Sequence, residues 1–306
     1  MPLIKPFAGL RPAPGRAADV AAPPYDVMST AEARAMVVGR PWRFLHISRP
    51  EVNLPEGTDP YAPAVYAKAR ENLEAMRLAG VLERDPAPCY YVYRLTMGEH
   101  VQTGLVAAAS VAAYDQERIK KHEFTRPVKE DDRVRQIDAL DAQTGPVFLV
   151  YRATSRIDAV LAAVTQGEAA VDIRATGEVR HQIWVVRDAD LIRLLSTAFE
   201  ALQALYVADG HHRSAAASRV AAARQAANPA LWNGSAFVFD QVRLDADGGF
   251  AADGALSDFA SFLYLRDANA FGHGFHHLFP VGALVTADRR LVIGEMGAHT
   301  ANAGRL

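Results

Sequence analysis

Short β-type runs and segments with helical spacing follow one another between residues 89 and 227, and this alternation most constrains the fold. The strand-like runs are rich in β-branched and aromatic residues, whereas the helical segments repeat apolar residues along one face. The predicted strands are Cys89–Met97, Thr103–Tyr114, Pro146–Arg152, His181–Arg187 and a short run from Leu205. Of these, Pro146–Arg152 is expected to be a buried strand. The predicted helices are Ile157–Val164, Asp188–Leu202 and Ser214–Ala227. The pattern predicts a mixed α/β (α+β) fold.

Ten prolines fall within the first 60 residues, and this density favours extended segments and turns over long helices. Thr30–Val38 is the helix predicted in this region, capped at its first residue or at Ser29 and ended by Gly39. Trp42–Ser48 alternates in the manner of a short strand. Asp59–Gly80 is the clearest early helix, because its apolar residues recur at helical spacing.

Charge and cysteine content exclude several classes of function. The chain has 33 basic and 35 acidic residues, so no global basic field attracts nucleic acid, although local charge can still bind a nucleotide. A single cysteine, Cys89, excludes an internal disulfide framework and an all-cysteine metal site. The sequence has neither the apolar core of a signal peptide nor the roughly 18 apolar residues of a membrane span. We expect a cytoplasmic protein that contacts neither membranes nor nucleic acid.

The strongest candidate site is the run ADGHHR (residues 208–213), between a predicted strand and a predicted helix. Gly210 lets the backbone approach a ligand, and the N–H groups of the following helix start suit an anion. Arg213 has a planar fork suited to phosphate oxygens, while His211 and His212 can donate hydrogen bonds or relay a proton near neutral pH. The structural alternative is a helix capped by Asp209 with solvated histidines. Metal binding is less favoured, because neighbouring histidines seldom face one ion and no third ligand is evident.

A second candidate is the segment IKKHEFTR (residues 119–126) with the KEDDR run that follows it. Glu123 lies beside Lys121 and His122, where it could act as a general base or hold a metal bound to phosphates. The basic side chains that could bind phosphate oxygens in this region are Lys120, Lys121, Arg126, Lys129, Arg133 and Arg135. The structural alternative is a solvated charged helix with spaced ion pairs, such as Glu130 with Arg133. Whether this segment and ADGHHR share a cleft is left open by the sequence.

Two further polar loops are weaker candidates. In APPYDV the prolines hold the backbone extended before Tyr25 and Asp26. These two residues could line a pocket, and the alternative is a structural turn. The loop at residues 141–146 precedes a predicted strand, and its Gln143 and Thr144 side chains are able to bind a ligand.

Six motifs occur in the order typical of the bacterial and archaeal family called domain of unknown function 1015. They are AAPPYDV, EGTDPY, YVYRLTM, IKKHEFTR with KEDDR, DAQTGPVFL and YVADGHHR. Over about residues 1–227 the chain resembles this family. More distantly, the ADGHHR turn resembles the phosphate-binding turn of the ParB, sulfiredoxin and free-serine kinase superfamily, whose members bind nucleotide at a helix start. The resemblance implies a ParB/sulfiredoxin-like fold for the N-terminal region.

Genes of this family often stand beside serine-biosynthesis genes, so the resemblance implies a nucleotide-dependent phosphotransferase that acts on serine or phosphoserine. It assigns phosphate or nucleotide contacts to Asp209, Gly210, His211, His212 and Arg213, with ATP or ADP and Mg²⁺ as cofactors. Glu123 follows by analogy as the residue that accepts the hydroxyl proton. The alternatives are a nucleotide-binding regulatory module without turnover and a non-functional gene product. The expected partners are a small-molecule substrate and a nucleotide.

The tail departs from the family pattern after Asn228. Glycine becomes frequent and the strand-like pieces AFVFDQVRLD, ASFLYLRD, FPVGALVT and RRLVIGEM replace the helical spacing. Residues 228–306 resemble the N-terminal part of a Nudix hydrolase, but no adjacent glutamates occur there, so we expect no Nudix activity. The prediction is a 1–227 domain followed by an incomplete β-rich tail, joined at a junction between truncated domains; a divergent tail is the alternative. A chimera of this kind would be marginally stable or would aggregate.

Overall fold

The computed structural model describes residues 2–175, 178–227, 235–244, 250–258, 284–285 and 291–292. Helices and strands are both abundant and form several small sheets, which confirms the predicted mixed α/β class. The chain divides into two compact units, Met1–Ala221 and Ala222–Leu306. The candidate site residues all belong to the first unit.

The helices and strands of the first unit alternate along the chain. The α-helices are α1 Ala17–Val20, α2 Thr30–Val37, α3 Leu45–Ser48, α4 Pro63–Leu78, α5 Val111–Asp115, α6 Pro127–Leu140, α7 Ser155–Val164, α8 Ala189–Glu200 and α9 His211–Ala227, the last of which continues into the second unit. The strands are β1 Ile4–Lys5, β2 Leu10–Pro12, β3 Leu82–Arg84, β4 Tyr90–Met97, β5 His100–Val106, β6 Ala108–Ala109, β7 Ile119–Lys120, β8 Phe148–Val150, β9 Val171–Arg174, β10 Arg180–Val186 and β11 Leu205–Asp209.

Two sheets organise the first unit. The larger is antiparallel, with strand order β5-β4-β10-β9. The smaller has the order β7-β11-β8, in which β11 pairs parallel with β7 and antiparallel with β8. The pairing of β11 with β8 shifts register between Val207 and Asp209, so that Tyr206 faces Val150 and Asp209 faces Phe148. This smaller sheet positions the candidate site.

The first unit has two apolar cores. The larger lies among both sheets and α7 and α8, where Tyr90, Trp184, Leu195 and Val207 are buried. The smaller lies around α3 and α4 and includes Ile47, which is completely buried. At about 25 cal/mol per Å² of buried apolar surface, these side chains supply the main stabilising free energy of the unit.

Most of the predicted helices are confirmed within a few residues. The helix α2 has Ser29 as its N-cap, with the reciprocal Ser29–Glu32 hydrogen bonds of a capping box. The helix α4 begins at a proline and buries the apolar stripe that predicted it. In contrast, α9 begins at His211, three residues before the predicted start at Ser214, so both histidines belong to its first turn.

Two strand predictions are wrong. Trp42–Ser48 contains the short helix α3, in which the Ser48 N–H donates to the Phe44 carbonyl; Leu45 and Ile47 satisfy a short alternating pattern although they lie on a helix. The run Thr103–Tyr114 is a strand only as far as Val106, with a further two strand residues at β6. After that, Ser110 caps α5 by accepting the backbone N–H of Ala113.

The second unit contains paired strands. Ser235–Leu244 (β12) pairs antiparallel with Phe250–Asp258 (β13), with a register shift between Phe239 and Gln241. Leu284–Val285 (β14) pairs antiparallel with Leu291–Val292 (β15). Strands β12, β14 and β15 overlap the predicted strand pieces AFVFDQVRLD, FPVGALVT and RRLVIGEM and confirm them over the residues described. Strand β13 was not predicted. ASFLYLRD lies outside the described residues.

Candidate functional site

Three polar segments meet at one edge of the β7-β11-β8 sheet. Because β7 and β11 are parallel, the segment after β7 (residues 121–126) and Gly210 after β11 leave the sheet at the same edge. The antiparallel β8 brings the loop before it (residues 141–147) to this edge as well. The structure therefore brings together IKKHEFTR, DAQTGP and ADGHHR, which are far apart along the chain.

Glu123 and His211 contact each other across two of these segments. The Glu123 Oε2 atom lies 3.4 Å from His211 Nδ1, and the His122 backbone N–H donates to His211 Nε2 at 3.5 Å. An Nε2 that accepts an N–H places the proton of the neutral ring on Nδ1, facing the carboxylate. Burial, together with the nearby His122 ring, lowers the pKa of His211. The contact therefore joins a neutral imidazole to a carboxylate.

The two side chains of this contact differ in exposure. The His211 side chain is 4% exposed, whereas that of Glu123 is 61% exposed. The His122 ring packs edge-on against His211, with 4.5 Å between ring centres. An exposed carboxylate backed by a buried, oriented imidazole is able to accept a proton from a ligand in solvent.

His212 contacts the far end of the same segment. Its Nε2 atom accepts the Arg126 backbone N–H at 2.9 Å. The segment 122–126 is consequently bound to α9 at both ends, through His211 at His122 and through His212 at Arg126. Phe124, between them, is 98% exposed. The structure places His212 as a residue that positions the Glu123 segment.

Arg213 contacts the loop before β8. Its guanidinium donates to the Pro146 carbonyl and pairs with the Asp209 carboxylate at 2.5 Å. A Cβ atom at Gly145 would lie 2.9 Å from Arg213 Cδ, so a larger residue there would require the Arg213 side chain to shift. The residue between Asp209 of this ion pair and α9, Gly210, has a φ of +98°, a backbone conformation that favours glycine.

Basic side chains surround the Glu123 segment. Lys120, Lys121, Arg126 and Lys129 are exposed. The Lys121 ammonium lies 4.4 Å from the centre of the Tyr114 ring, a cation–π contact that orients it. These four residues lie in or next to the segment that is hydrogen-bonded to the first turn of α9, and they bring exposed basic charge to it although the whole chain is slightly acidic.

Arg133 lies in a different contact. Its side chain is 17% exposed, pairs with Asp132 at 2.5 Å, and lies 4.6 Å above the centre of the Tyr25 ring. The Tyr66 hydroxyl donates to Asp132 at 2.9 Å. Residues 25–27 of the APPYDV motif form a 3₁₀ turn here. Arg133 therefore packs α6 against the Tyr25 turn and α4.

The ion pair suggested between Glu130 and Arg133 is wrong. Glu130 instead accepts from the Thr125 hydroxyl at 2.7 Å and pairs with Arg219 of α9 at 2.8 Å. Arg219 also pairs with Asp131 at 2.7 Å. These contacts, led by the Thr125 hydrogen bond, lower the pKa of Glu130. Arg219 had no distinguishing sequence signal, because it lies in the alanine-rich part of α9.

The carboxylates of the two converging segments IKKHEFTR and ADGHHR are Glu123 and Asp209. No group of three or more His, Cys, Asp or Glu side chains within the described residues could hold a metal ion. Glu123 and Asp209 are exposed and belong to the two converging segments. One or two carboxylates suit Mg²⁺ that is bound mainly through substrate phosphates, since Mg²⁺ keeps several waters.

Together the fold and the site define a mixed α/β protein with a polar, positively charged site at the end of a small three-stranded sheet. The chain belongs to the family described as Protein of unknown function (DUF1015), whose model matches residues 4–240. This membership confirms the family resemblance. The ParB-like turn, the Nudix-like tail and the boundary at 227–228 stay predictions.

No curated protein matches the chain, and no solved structure does. Among the described residues, no helix is long and apolar enough to cross a membrane.

Proposed function

We propose that this protein transfers a phosphoryl group between a nucleotide, ATP or ADP, and a small hydroxy amino acid such as serine or phosphoserine. The observation that carries the proposal is the exposed Glu123 carboxylate, 3.4 Å from the buried His211 ring and surrounded by exposed cations at the start of a long helix. Phosphoryl transfer requires mainly positioning and charge neutralisation, and both are supported by this arrangement.

The phosphates would bind to the cations and to the start of α9. Lys120, Lys121, Arg126 and Lys129 supply charge, and the backbone N–H groups of the first turn of α9 supply aligned donors. Arg213 is already bound to Asp209 and to the Pro146 carbonyl, so its first role is to fix the loop before β8. If a phosphate oxygen took the place of the Asp209 carboxylate, the Arg213 guanidinium would donate hydrogen bonds directly to the phosphate.

Glu123 would act as the base. The substrate O–H bond breaks as its proton moves to a Glu123 carboxylate oxygen, the hydroxyl oxygen forms a bond to the terminal phosphorus, and the bond from phosphorus to the nucleotide oxygen breaks. The Nδ1–H of neutral His211 orients the carboxylate. Mg²⁺, held by the nucleotide phosphates and one of the exposed carboxylates, would neutralise phosphate charge.

The test compares wild type with Glu123→Gln and with Glu99→Gln, an exposed glutamate in the β4–β5 turn. ATP or ADP with Mg²⁺ should raise the melting temperature of all three proteins by mass action. Phosphoserine formation from serine, measured by mass spectrometry, should fall at least a hundredfold in Glu123→Gln only, in line with the ~10²–10⁴ contribution of a general base.

Two results would contradict the proposal. A clean melting transition that neither nucleotide moves would remove the nucleotide site. A shift in melting temperature with no turnover of serine or phosphoserine in wild type would instead support a nucleotide-binding regulatory module.

A further inference from the structure

One face of the β7-β11-β8 sheet is apolar and open. Tyr206, Val150 and Phe148 are 43%, 41% and 46% exposed on it, so the prediction that Pro146–Arg152 forms a buried strand is wrong at Val150 and Phe148. The opposite face packs into the larger core, where Leu205 and Val207 are buried. Strand side chains alternate between faces, so a sheet with one covered face and one open apolar face has a surface available for a ligand.

The strand register arranges this open face in rows. Lys120 is paired with Tyr206, and Tyr206 with Val150, so these three side chains lie side by side across the sheet. The next row pairs Asp209 with Phe148. Since directly opposed residues project to the same side, the apolar surface continues without a break to Asp209 and hence to the candidate phosphate site.

We propose that this open sheet face, formed by Tyr206, Val150 and Phe148, binds the planar base of the nucleotide whose phosphates occupy the adjoining edge. The inference rests on the proposed function and adds the base site to it. Aromatic side chains on an open sheet stack against bases because every base has a π face. Lys120, in the same row as Tyr206, is placed to contact the negative phosphate chain that leaves the base.

The size of the surface favours a ring over a protein partner. Three half-exposed side chains offer on the order of 250 Å². A stable protein interface needs about 800 Å² on each partner. Charged side chains, Lys120 and Asp209, also bound the apolar patch, whereas a protein interface has its charges at a wider rim. A nucleobase fits both the area and the charge pattern.

The experiment measures binding of ATP and of tripolyphosphate, each with Mg²⁺, by titration calorimetry. The variants are Tyr206→Thr and Phe148→Thr, since threonine keeps β propensity. Tyr61→Thr is the matched control, because Tyr61 is 37% exposed and lies outside this sheet. Each variant should weaken ATP binding about tenfold, as expected for loss of a base stack, while leaving tripolyphosphate binding unchanged. Thermal unfolding identifies any variant that does not fold, and the other variant then decides.

Every other outcome overturns the base-site inference, and the pattern of binding tells whether the proposed phosphate site is lost with it. Equal loss of ATP and tripolyphosphate binding, or no loss of either, would show that the face does not contact the base while the phosphate site still stands. Failure of wild type to bind both ligands would remove the proposed function and this inference together. Conversion of a wild-type dimer into a monomer by Tyr206→Thr, seen by light scattering, would assign the face to self-association.

Discussion

The Nε2 atom of His212 accepts the backbone N–H of Arg126 at 2.9 Å, across 86 residues of chain. His211, the neighbour of His212 along the helix, does the same for the N–H of His122. A protonated imidazole cannot accept a hydrogen bond at that nitrogen. The conformation of the Glu123 segment therefore depends on two ring nitrogens that act as acceptors in the first turn of α9.

Replacement of His212 by alanine should loosen this segment. Loss of the acceptor exposes the Arg126 N–H to exchange with solvent. Hydrogen exchange of a peptide covering residues 122–126 should therefore become severalfold faster, which corresponds to a loss of about 1 kcal/mol in the free energy of local opening. Mass spectrometry of the exchanged peptide gives the rate. His212→Gln, whose side-chain oxygen can replace the acceptor, should restore most of the protection, and His100→Ala, an exposed histidine on β5, should have no effect.

Acid should destabilise the protein through His211. Burial lowers the pKa of His211 in the folded state, so the unfolded state binds more protons once the pH falls below the unfolded value of about 6.5. Stability should be constant above that pH and should fall as the pH drops toward the folded pKa. Burial also lowers the pKa of His181, which contributes in the same direction.

The contribution of His211 is measurable by urea unfolding between pH 8 and 5 of wild type and His211→Gln. The loss of unfolding free energy on acidification should be smaller in the variant, because it lacks a histidine whose pKa is lowered in the folded state. An identical pH dependence in the two proteins would show that His211 is not the titrating group.

Alanine at Gly210 should disrupt the site. The φ of +98° at Gly210 is unfavourable for alanine, and the added Cβ would lie 3.3 Å from both Arg213 and Val147. The variant should lose about 1–3 kcal/mol of unfolding free energy and bind ATP more weakly. Gly104→Ala, in an exposed strand position with nothing within 4 Å of the new Cβ, should be neutral or slightly stabilising. Equal behaviour of the two variants in urea unfolding would refute this role of Gly210.

Asp85 should limit stability at very low pH. Its side chain is 1% exposed and accepts hydrogen bonds from Arg11, Tyr91 and Arg187, led by Arg11, which lower the pKa of Asp85 from 3.8 to about 2. Stability from this group is therefore present above about pH 4 and lost as the pH falls toward 2. Asp85→Asn should cost about 3 kcal/mol at pH 7 in urea unfolding. Asp26→Asn, at an exposed position, should change stability by less than about 0.5 kcal/mol.

Elements with a long, one-sided apolar pattern were predicted well from the sequence. The helix α4 follows its stripe of buried residues, and β4 and β10 pair along Tyr90–Thr96 and Arg180–Val186, within two residues of their predicted bounds. The strand prediction for Trp42–Ser48 was wrong because the helix there, α3, has four residues, and a pattern this short does not distinguish a strand from a helical turn. Its conformation is set by tertiary contacts, among them the Asn72 side-chain amide that donates to the His46 carbonyl at 2.6 Å.

The residue types of the candidate site were predictable, but their assembly was not. Glu123 and His211 meet because the two-residue strand β7 pairs with β11, and so short a strand gives no periodic signal. The interaction partners of Arg213 and Glu130 were likewise not predictable from the sequence. Each depends on a contact across more than sixty residues, Arg213 with Pro146 and Glu130 with Arg219.

The register shift in β11 decides on which side of the sheet the strand's last carboxylate emerges. Strict alternation would place Asp209 on the same side as Leu205 and Val207, which are buried in the core. Ala208 is the extra residue that has no partner on β8, and it moves Asp209 to the side of Tyr206. A strand that kept Ala208 but paired regularly through it would turn the acid inward and separate it from Arg213. The site would then be lost although all its chemical groups remained in the chain.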